Sequence, residues 1–227
     1  VERSRIVTEW LLAAGAKLIV VACNTATSLA IDVLRAAYPQ IPFVGMEPAV
    51  KPAAGAKRIG VLATAATLNS KRYQNLRQRY LPNRPVLEDP CRGLVSLIEE
   101  RGASTPAVRA HLKPILAPML AAEVDALVLG CTHYPLVRAD IEAIAGPAVT
   151  VIDPAPAAAR QVKRLLREHR LEAGRVETLL PNPSPASCVR AHIFCTTGPS
   201  IALQRTLLIL PELNARRKLL VPKVALR

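Results

Sequence analysis

One pattern occurs twice in this chain: a short apolar run ends at a cysteine, polar residues follow, and a helical pattern begins. Residues 17–25 read Lys-Leu-Ile-Val-Val-Ala-Cys-Asn-Thr, and residues 125–133 read Asp-Ala-Leu-Val-Leu-Gly-Cys-Thr-His. An apolar run of this length between polar residues predicts a buried parallel strand. Cys23 and Cys131 would then lie at the carboxyl ends of strands, where open α/β sheets bind their ligands.

The helix predicted after each cysteine points its N–H groups and the positive end of its dipole at the sulfur. Such a setting lowers the pKa of a thiol from about 8.5 toward neutrality. Two thiols of this kind predict a pair of acid/base groups that face one substrate. Inversion at an α-carbon needs such a pair, because the L and D isomers present the α-hydrogen on opposite faces.

Composition limits the class of protein. The 227 residues suffice for one large domain or two modest ones, and 51% hydrophobic residues with 3% aromatic residues predict an aliphatic core. No run approaches the roughly 18 apolar residues of a membrane helix, and no signal segment opens the chain. The five cysteines have irregular spacings and form no C-x-x-C pair, which argues against a disulfide framework and predicts a reducing, cytoplasmic location.

The net charge of +13 is concentrated toward the carboxyl end. Residues 154–227 hold 13 Lys and Arg against 4 Asp and Glu, a net +9, whereas residues 1–153 hold 17 against 13, a net +4. This skew is compatible with a nucleic acid or an acidic protein as partner. It is explained more simply by a solvated helix face followed by a basic tail.

Strand and helix patterns alternate, which predicts an α/β fold with parallel sheets. The predicted strands are 17–22, 43–45, 58–63, 86–87, 126–130 and 149–152. The predicted helices are one that ends at Gly15 and others near 26–37, 68–80, 93–101, 136–145 and 154–170. Residues 106–122 have a helical composition, but Pro114 and Pro118 are expected to kink or break the run. Residues 181–199 predict a proline-rich loop.

The neighbours of the two cysteines resemble those of a known family. Residues 22–27 (Ala-Cys-Asn-Thr-Ala-Thr) and 129–136 (Leu-Gly-Cys-Thr-His-Tyr-Pro-Leu) are similar to the two signature motifs of cofactor-independent glutamate racemases. Residues 45–48, 63–68 and 93–99 also fit this family. The resemblance extends over roughly residues 1–200.

The resemblance implies a fold of two pseudo-symmetric, parallel-sheet α/β domains with the active site between them. Residues 1–46 together with 154–200 would form the first domain, residues 47–153 the second, and residues 201–227 a basic tail. The substrate would be glutamate, and no cofactor, metal or membrane is expected. The family also allows a homodimer.

The resemblance further implies roles for individual residues. Cys23 and Cys131 would be the two bases, and His133 would assist Cys131 and contact the substrate. Glu99 would be a carboxylate near the site. The residues that would hold the substrate carboxylate and ammonium are Asn24, Thr25 and Thr132, with His133 beside them.

Two parts of the family pattern do not occur in this sequence. An Asp-Ser-Gly segment and a Pro-Tyr-Gly substrate loop are missing, and the chain opens at Val1 in a helical pattern. We therefore expect an upstream piece, and weak or undetectable turnover by residues 1–227 alone. From Pro199 onward the sequence no longer resembles the family.

Three functions follow as hypotheses. The leading one is glutamate racemisation that supplies D-glutamate for peptidoglycan. The second is the activity of another member of the same superfamily, such as an aspartate racemase or a hydantoin racemase. The third is a non-catalytic protein that binds an acidic partner, because some glutamate racemases are associated with DNA gyrase and the carboxyl third is basic.

Overall fold

A computed structural model describes residues 1–172 of the chain, and these residues alternate between helices and parallel strands. The helices are α1 (Glu2–Ala13), α2 (Asn24–Ala37), α3 (Val50–Ala53), α4 (Ala65–Leu68), α5 (Lys71–Tyr80), α6 (Leu94–Arg101), α7 (Pro106–Ala121), α8 (Arg138–Ala145) and α9 (Ala155–Glu168). The strands are β1 (Ile19–Val21), β2 (Phe43–Gly45), β3 (Ile59–Ala63), β4 (Val86–Asp89), β5 (Ala126–Gly130) and β6 (Thr150–Ile152). The predicted α/β class is confirmed.

The strands form two parallel sheets within this part of the chain. β1 pairs with β2, and the larger sheet has the order β4-β3-β5-β6. In the larger sheet Ala63 pairs with Gly130, so β3 and β5 end at the same level. The residues that follow these two strands therefore meet at one edge of the sheet, as the carboxyl ends of parallel strands do.

The core is aliphatic and covers both faces of the larger sheet. Leu62, Leu127 and Leu129 face a cluster formed with α6, α7 and α8, while Ile59, Val61 and Val128 face a second cluster with α3 and α5. β3 and β5 are buried along their whole length, as expected of central strands that helices cover on both faces. A third, smaller cluster packs β1 against α1 and α2.

The prolines of α7 do not break the helix. Pro106 occupies its first turn, where no intrahelical N–H bond is lost, while Pro114 and Pro118 lie four residues apart inside it. Both inner prolines are exposed, so the carbonyl groups that lose their partners can bind water. The apolar residues Leu112, Ile115, Leu116 and Met119 line the opposite face and hold the helix on the sheet.

Two predicted helices have other bounds in the structure, and α2 leaves two large apolar side chains exposed. The predicted helix 68–80 begins later, as α5 at Lys71, because the Ser70 hydroxyl accepts a bond from Tyr73 N–H at 3.1 Å and caps it. The run 136–145 begins with a 3₁₀ turn at Tyr134–Val137. In α2 the buried face carries Ala30, Ile31 and Leu34, and the apolar residues that remain exposed are Leu29 and Val33.

Some predictions stay untested. The division into residues 1–46 with 154–200 and residues 47–153 remains a prediction. The proline-rich loop at 181–199 and the tail 201–227 lie outside the described residues. Among residues 1–172 no helix has both the length and the apolar character that a membrane span requires.

Gly130 ends β5 directly before Cys131, and we expect Gly130→Ala to lower the free energy of unfolding by about 3 kcal/mol. A Cβ at this position would lie 2.6 Å from the Ala63 Cβ and 3.0 Å from the Leu62 carbonyl oxygen, neither of which can move without the strand. The measurement is urea unfolding. Gly60→Ala is the matched control, because its Cβ would meet the ends of the flexible Leu127 and Met119 side chains, and about 1 kcal/mol is expected. Equal losses in the two variants would contradict the prediction.

Candidate active site

Cys23 stands between β1 and α2. It is the N-cap residue of α2, with extended backbone angles, and its sulfur accepts a hydrogen bond from the Ala26 N–H at 3.4 Å. The side chain is exposed. Cys23 therefore lies at a strand end and a helix N-terminus, as predicted, because β1 ends at Val21 and α2 begins at Asn24.

Cys131 occupies the corresponding place after β5, but it is buried. Burial raises the pKa of the Cys131 thiol, and the nearby charges of Cys23 and Glu99 raise it further. The backbone N–H groups of His133 and Tyr134 act in the opposite direction and lower it. The expected lowering of this pKa toward neutrality is therefore wrong for Cys131 in the unliganded site, because desolvation outweighs the backbone dipoles.

The two thiols are close enough to interact electrostatically. A thiolate at Cys23 disfavours ionisation of Cys131, although the two residues belong to different sheets. Two acidic side chains that follow strands of different sheets therefore lie within the range of each other's charge.

His133 contacts both Cys131 and Glu99. The Nδ1 atom of His133 lies 3.8 Å from the Cys131 sulfur, and its Nε2 atom lies 2.8 Å from Glu99 Oε1. A carboxylate on Nε2 favours the tautomer that carries its proton there, which leaves Nδ1 free to accept the proton of the thiol. The structure therefore brings both sequence-predicted residues to Cys131, Glu99 from α6 and His133 from the loop after β5.

Asn24, the first residue of α2, is the most unusual polar group at this site. Its side chain is only 2% exposed, and neither its amide nitrogen nor its amide oxygen has a hydrogen-bond partner. An unpaired buried amide costs about 1–3 kcal/mol, so such groups are rare in folded proteins unless a ligand or water satisfies them. One donor and one acceptor on a buried amide suit a ligand that carries both carboxylate and ammonium groups.

Three threonine hydroxyls meet where α2 approaches α4. Thr25 Oγ1 lies 2.8 Å from Thr64 Oγ1 and 3.2 Å from Thr67 Oγ1, and Thr64 and Thr67 are 3.1 Å apart. Thr25 was predicted as a site residue, whereas Thr64 and Thr67 were not. The signal available was their position directly after β3, at the same sheet edge as Cys131.

Thr132 follows Cys131 directly and is partly exposed, so its predicted substrate contact stays a prediction. Within residues 1–172 no group of three or more His, Cys, Asp and Glu side chains is arranged to hold a metal ion. Cys91 is the remaining thiol of this region. It is 2% exposed, and burial raises its pKa far above the ordinary value of 9.0.

The raised pKa of Cys91 predicts a loss of stability in alkali. Between about pH 9 and the higher pKa of the folded state, the thiol ionises only in the unfolded chain, so the free energy of unfolding falls by about 1.4 kcal/mol per pH unit. We expect Cys91→Ala to remove a slope of that size when urea unfolding is compared from pH 8 to pH 10.5. Other buried acids such as Tyr73 keep a residual slope in both proteins. An unchanged slope in the variant would refute the prediction.

Fold and site together define an α/β protein with a cysteine directly after a parallel strand in each of its two sheets. The chain belongs to the Asp/Glu/Hydantoin racemase family, whose model matches residues 3–162. It is 48% identical over 175 residues to the glutamate racemase of Ectopseudomonas mendocina, a match that covers 76% of this chain and 66% of that protein. The chain thus spans about two thirds of the length of this curated relative.

Two solved structures resemble the chain at lower sequence identity. The glutamate racemase isoform RacE1 of Bacillus anthracis has a TM-score of 0.78 at 28% identity, with 99% of this chain and 80% of that chain covered. The glutamate racemase of Francisella tularensis, solved in complex with D-glutamate, has a TM-score of 0.76 at 27% identity with the same coverage. The suspected family resemblance is therefore confirmed.

Proposed function

We propose that this chain carries the reaction centre of a cofactor-independent racemase that interconverts L- and D-glutamate. The observation that carries the proposal is the pair of electrostatically coupled thiols, Cys23 and Cys131, at the ends of strands from two different sheets. The membership of the Asp/Glu/Hydantoin racemase family supports the same chemistry. Glutamate is the proposed substrate because the similar curated relatives are named glutamate racemases.

In the proposed reaction one cysteine, as thiolate, removes the α-proton of glutamate, and the other, as thiol, delivers a proton to the opposite face. The roles exchange in the reverse direction. A negative charge at Cys23 raises the pKa of the Cys131 thiol and so favours its neutral, proton-donating form. A bound substrate ammonium group would offset the negative charge and assist thiolate formation.

The surrounding residues take supporting roles in this proposal. His133, oriented by Glu99, accepts and returns the proton of Cys131 through Nδ1. The unpaired amide nitrogen of Asn24 donates a hydrogen bond to the α-carboxylate of glutamate, and the amide oxygen accepts one from the ammonium group. The hydroxyls of Thr25, Thr64 and Thr67 supply further donors beside it, and Thr132 is assigned a substrate contact from the family resemblance alone.

The wider role stays part of the proposal. A racemase of this type would act in the cytoplasm and supply D-glutamate for peptidoglycan. A homodimer, and the binding of DNA gyrase or nucleic acid, remain predictions from the sequence. Racemisation of aspartate or a hydantoin is the alternative within the family, and binding of an acidic partner without turnover is the alternative outside it.

The test is α-hydrogen exchange in heavy water, followed by proton NMR with separate samples of L- and D-glutamate. We expect loss of the α-proton signal and slow appearance of the other enantiomer, with aspartate and a hydantoin as comparison substrates. A second sample carries a family N-terminal segment with the Asp-Ser-Gly and Pro-Tyr-Gly motifs fused ahead of Val1, because these motifs do not occur in the sequence, and faster exchange is expected. Absence of exchange in both samples with every glutamate isomer would overturn the proposal.

A further inference from the structure

Arg72, the second residue of α5, joins three segments of the chain that lie near the two thiols. Its Nη1 atom lies 2.9 Å from each of the two carboxylate oxygens of Asp32 on α2. Its Nε atom donates to Glu47, which lies in the connection between β2 and α3. One guanidinium group therefore links three segments: α2, which follows Cys23, the connection between the two sheets, and α5, which carries Arg72 itself.

These segments carry the groups on which the site depends. α2 begins directly after Cys23 and contributes Asn24 and Thr25 through its first turn. α5 follows α4 closely, and the N-terminal end of α4 contributes Thr64 and Thr67. α2 is therefore joined to the segments after β3 at two places. Arg72 binds Asp32 of α2, and the Thr25 hydroxyl of α2 contacts the hydroxyls of Thr64 and Thr67. A shift of α2 relative to α5 would therefore move Cys23 and Asn24 away from the site residues that follow β3.

We propose that Arg72 is a positioning residue that holds the Cys23-bearing helix in register with the end of β3. The inferred effect on substrate rests on the proposed function, whereas the effect on the register of α2 does not. Arginine suits this task because its planar, forked guanidinium can bind two carboxylates at once, whereas a lysine ammonium is a point charge on a flexible stem. The residue touches neither thiol and acts through the segments that it joins.

The two carboxylates contribute unequally. The Asp32 side chain is 75% exposed and also lies 3.9 Å from Arg35, so water and a second cation weaken its hold on Arg72. The Glu47 side chain is 32% exposed and the Arg72 side chain 26%, which leaves their contact better shielded. Loss of Glu47 is therefore expected to have a larger effect than loss of Asp32.

The experiment uses the full chain and measures amide hydrogen exchange at single-residue resolution. We expect Arg72→Met to speed exchange at Ala26, Thr27, Thr67 and Leu68 by about tenfold, with α7 and α8 unchanged and the melting temperature within 2–3 °C. Glu47→Gln should reproduce most of this effect and Asp32→Asn little of it. Arg72→Lys should restore part of the protection.

The matched control is Arg138→Met, which removes an ion pair of 2.7 Å, Arg138 with Glu142, that lies within α8 alone. It should leave exchange at Ala26 and Thr67 unchanged. Unchanged exchange there in Arg72→Met, or a uniform rise over the whole chain, would overturn the positioning role, since the first shows no link and the second only general destabilisation.

Substrate binding gives an independent readout. If the chain binds glutamate, Arg72→Met should weaken the affinity by about five- to twentyfold, with partial rescue in Arg72→Lys. Faster local exchange with unchanged affinity would overturn the link to the site. If the unmodified chain binds no glutamate, affinity is measured in the chain extended ahead of Val1. Absence of binding in both samples counts against the proposed function, and the exchange data alone then decide whether Arg72 fixes the register of α2.

Discussion

Replacing Cys23 or Cys131 by alanine, in the chain completed with a family N-terminal segment, is expected to lower racemisation of glutamate at least about a thousandfold, because each substitution removes an acid/base group that the reaction needs on one face. Each variant should still exchange the α-hydrogen of one enantiomer with heavy water, since the remaining thiol can abstract and return a proton on its own face. The two variants should differ in which enantiomer they exchange. Proton NMR with separate L- and D-glutamate samples measures this selectivity.

Cys91→Ala is the matched control for the thiol variants. Cys91 also lies near Cys131 and is also buried, but His133 contacts Cys131 and Glu99 and not the Cys91 thiol. We expect its racemisation rate to stay within about threefold of the parent chain. Full racemisation in either active-site variant, or exchange of the same enantiomer by both, would exclude the two-thiol mechanism.

Asn24→Leu is expected to stabilise the protein without substrate and to weaken its affinity for glutamate. Leucine has the same number of side-chain heavy atoms but a larger volume. Because it removes two buried polar atoms without partners, the free energy of unfolding should rise by up to about 1–3 kcal/mol, less the cost of overpacking. The affinity for glutamate should fall by about 10- to 100-fold, because hydrogen bonds to charged ligand groups are worth about 1.5–3 kcal/mol. Urea unfolding and titration calorimetry measure the two effects.

The control for this variant is Asn75→Leu on α5. Asn75 is exposed, so its amide is already solvated and its replacement should change the free energy of unfolding by no more than about 0.5 kcal/mol, with no change in affinity. An unchanged affinity for glutamate in Asn24→Leu would contradict the assignment of this amide to the substrate.

The sequence alone placed the strands and the two thiols. The runs 43–45 and 126–130 were predicted with the bounds that the structure has, because a short apolar segment between polar residues leaves few alternatives to a buried strand. A cysteine directly after such a run must lie at the carboxyl end of a strand. The positions of Cys23 and Cys131 therefore follow from chain-local information.

Helix interiors were less predictable than strand ends. Pro114 and Pro118 disfavour a helix locally, yet α7 runs through both because its apolar face packs on the sheet and the prolines face water. In α2, the presence of apolar residues did not reveal that Leu29 and Val33 stay exposed while Ile31 and Leu34 are buried. The choice of the buried face depends on how α2 packs against β1 and α1, which the pattern of one helix does not contain.

The sequence by itself thus determined the α/β class, the strand order along the chain and the presence of paired thiols, because these depend on the period and length of apolar runs. Only the tertiary structure decided which side chains from distant segments meet. It brought Glu99 to His133, Thr64 and Thr67 to Thr25, and Arg72 to Asp32 and Glu47. It also reversed the expected pKa shift of Cys131, since the depth of burial belongs to the packed molecule and outweighs the dipoles that the local sequence supplies.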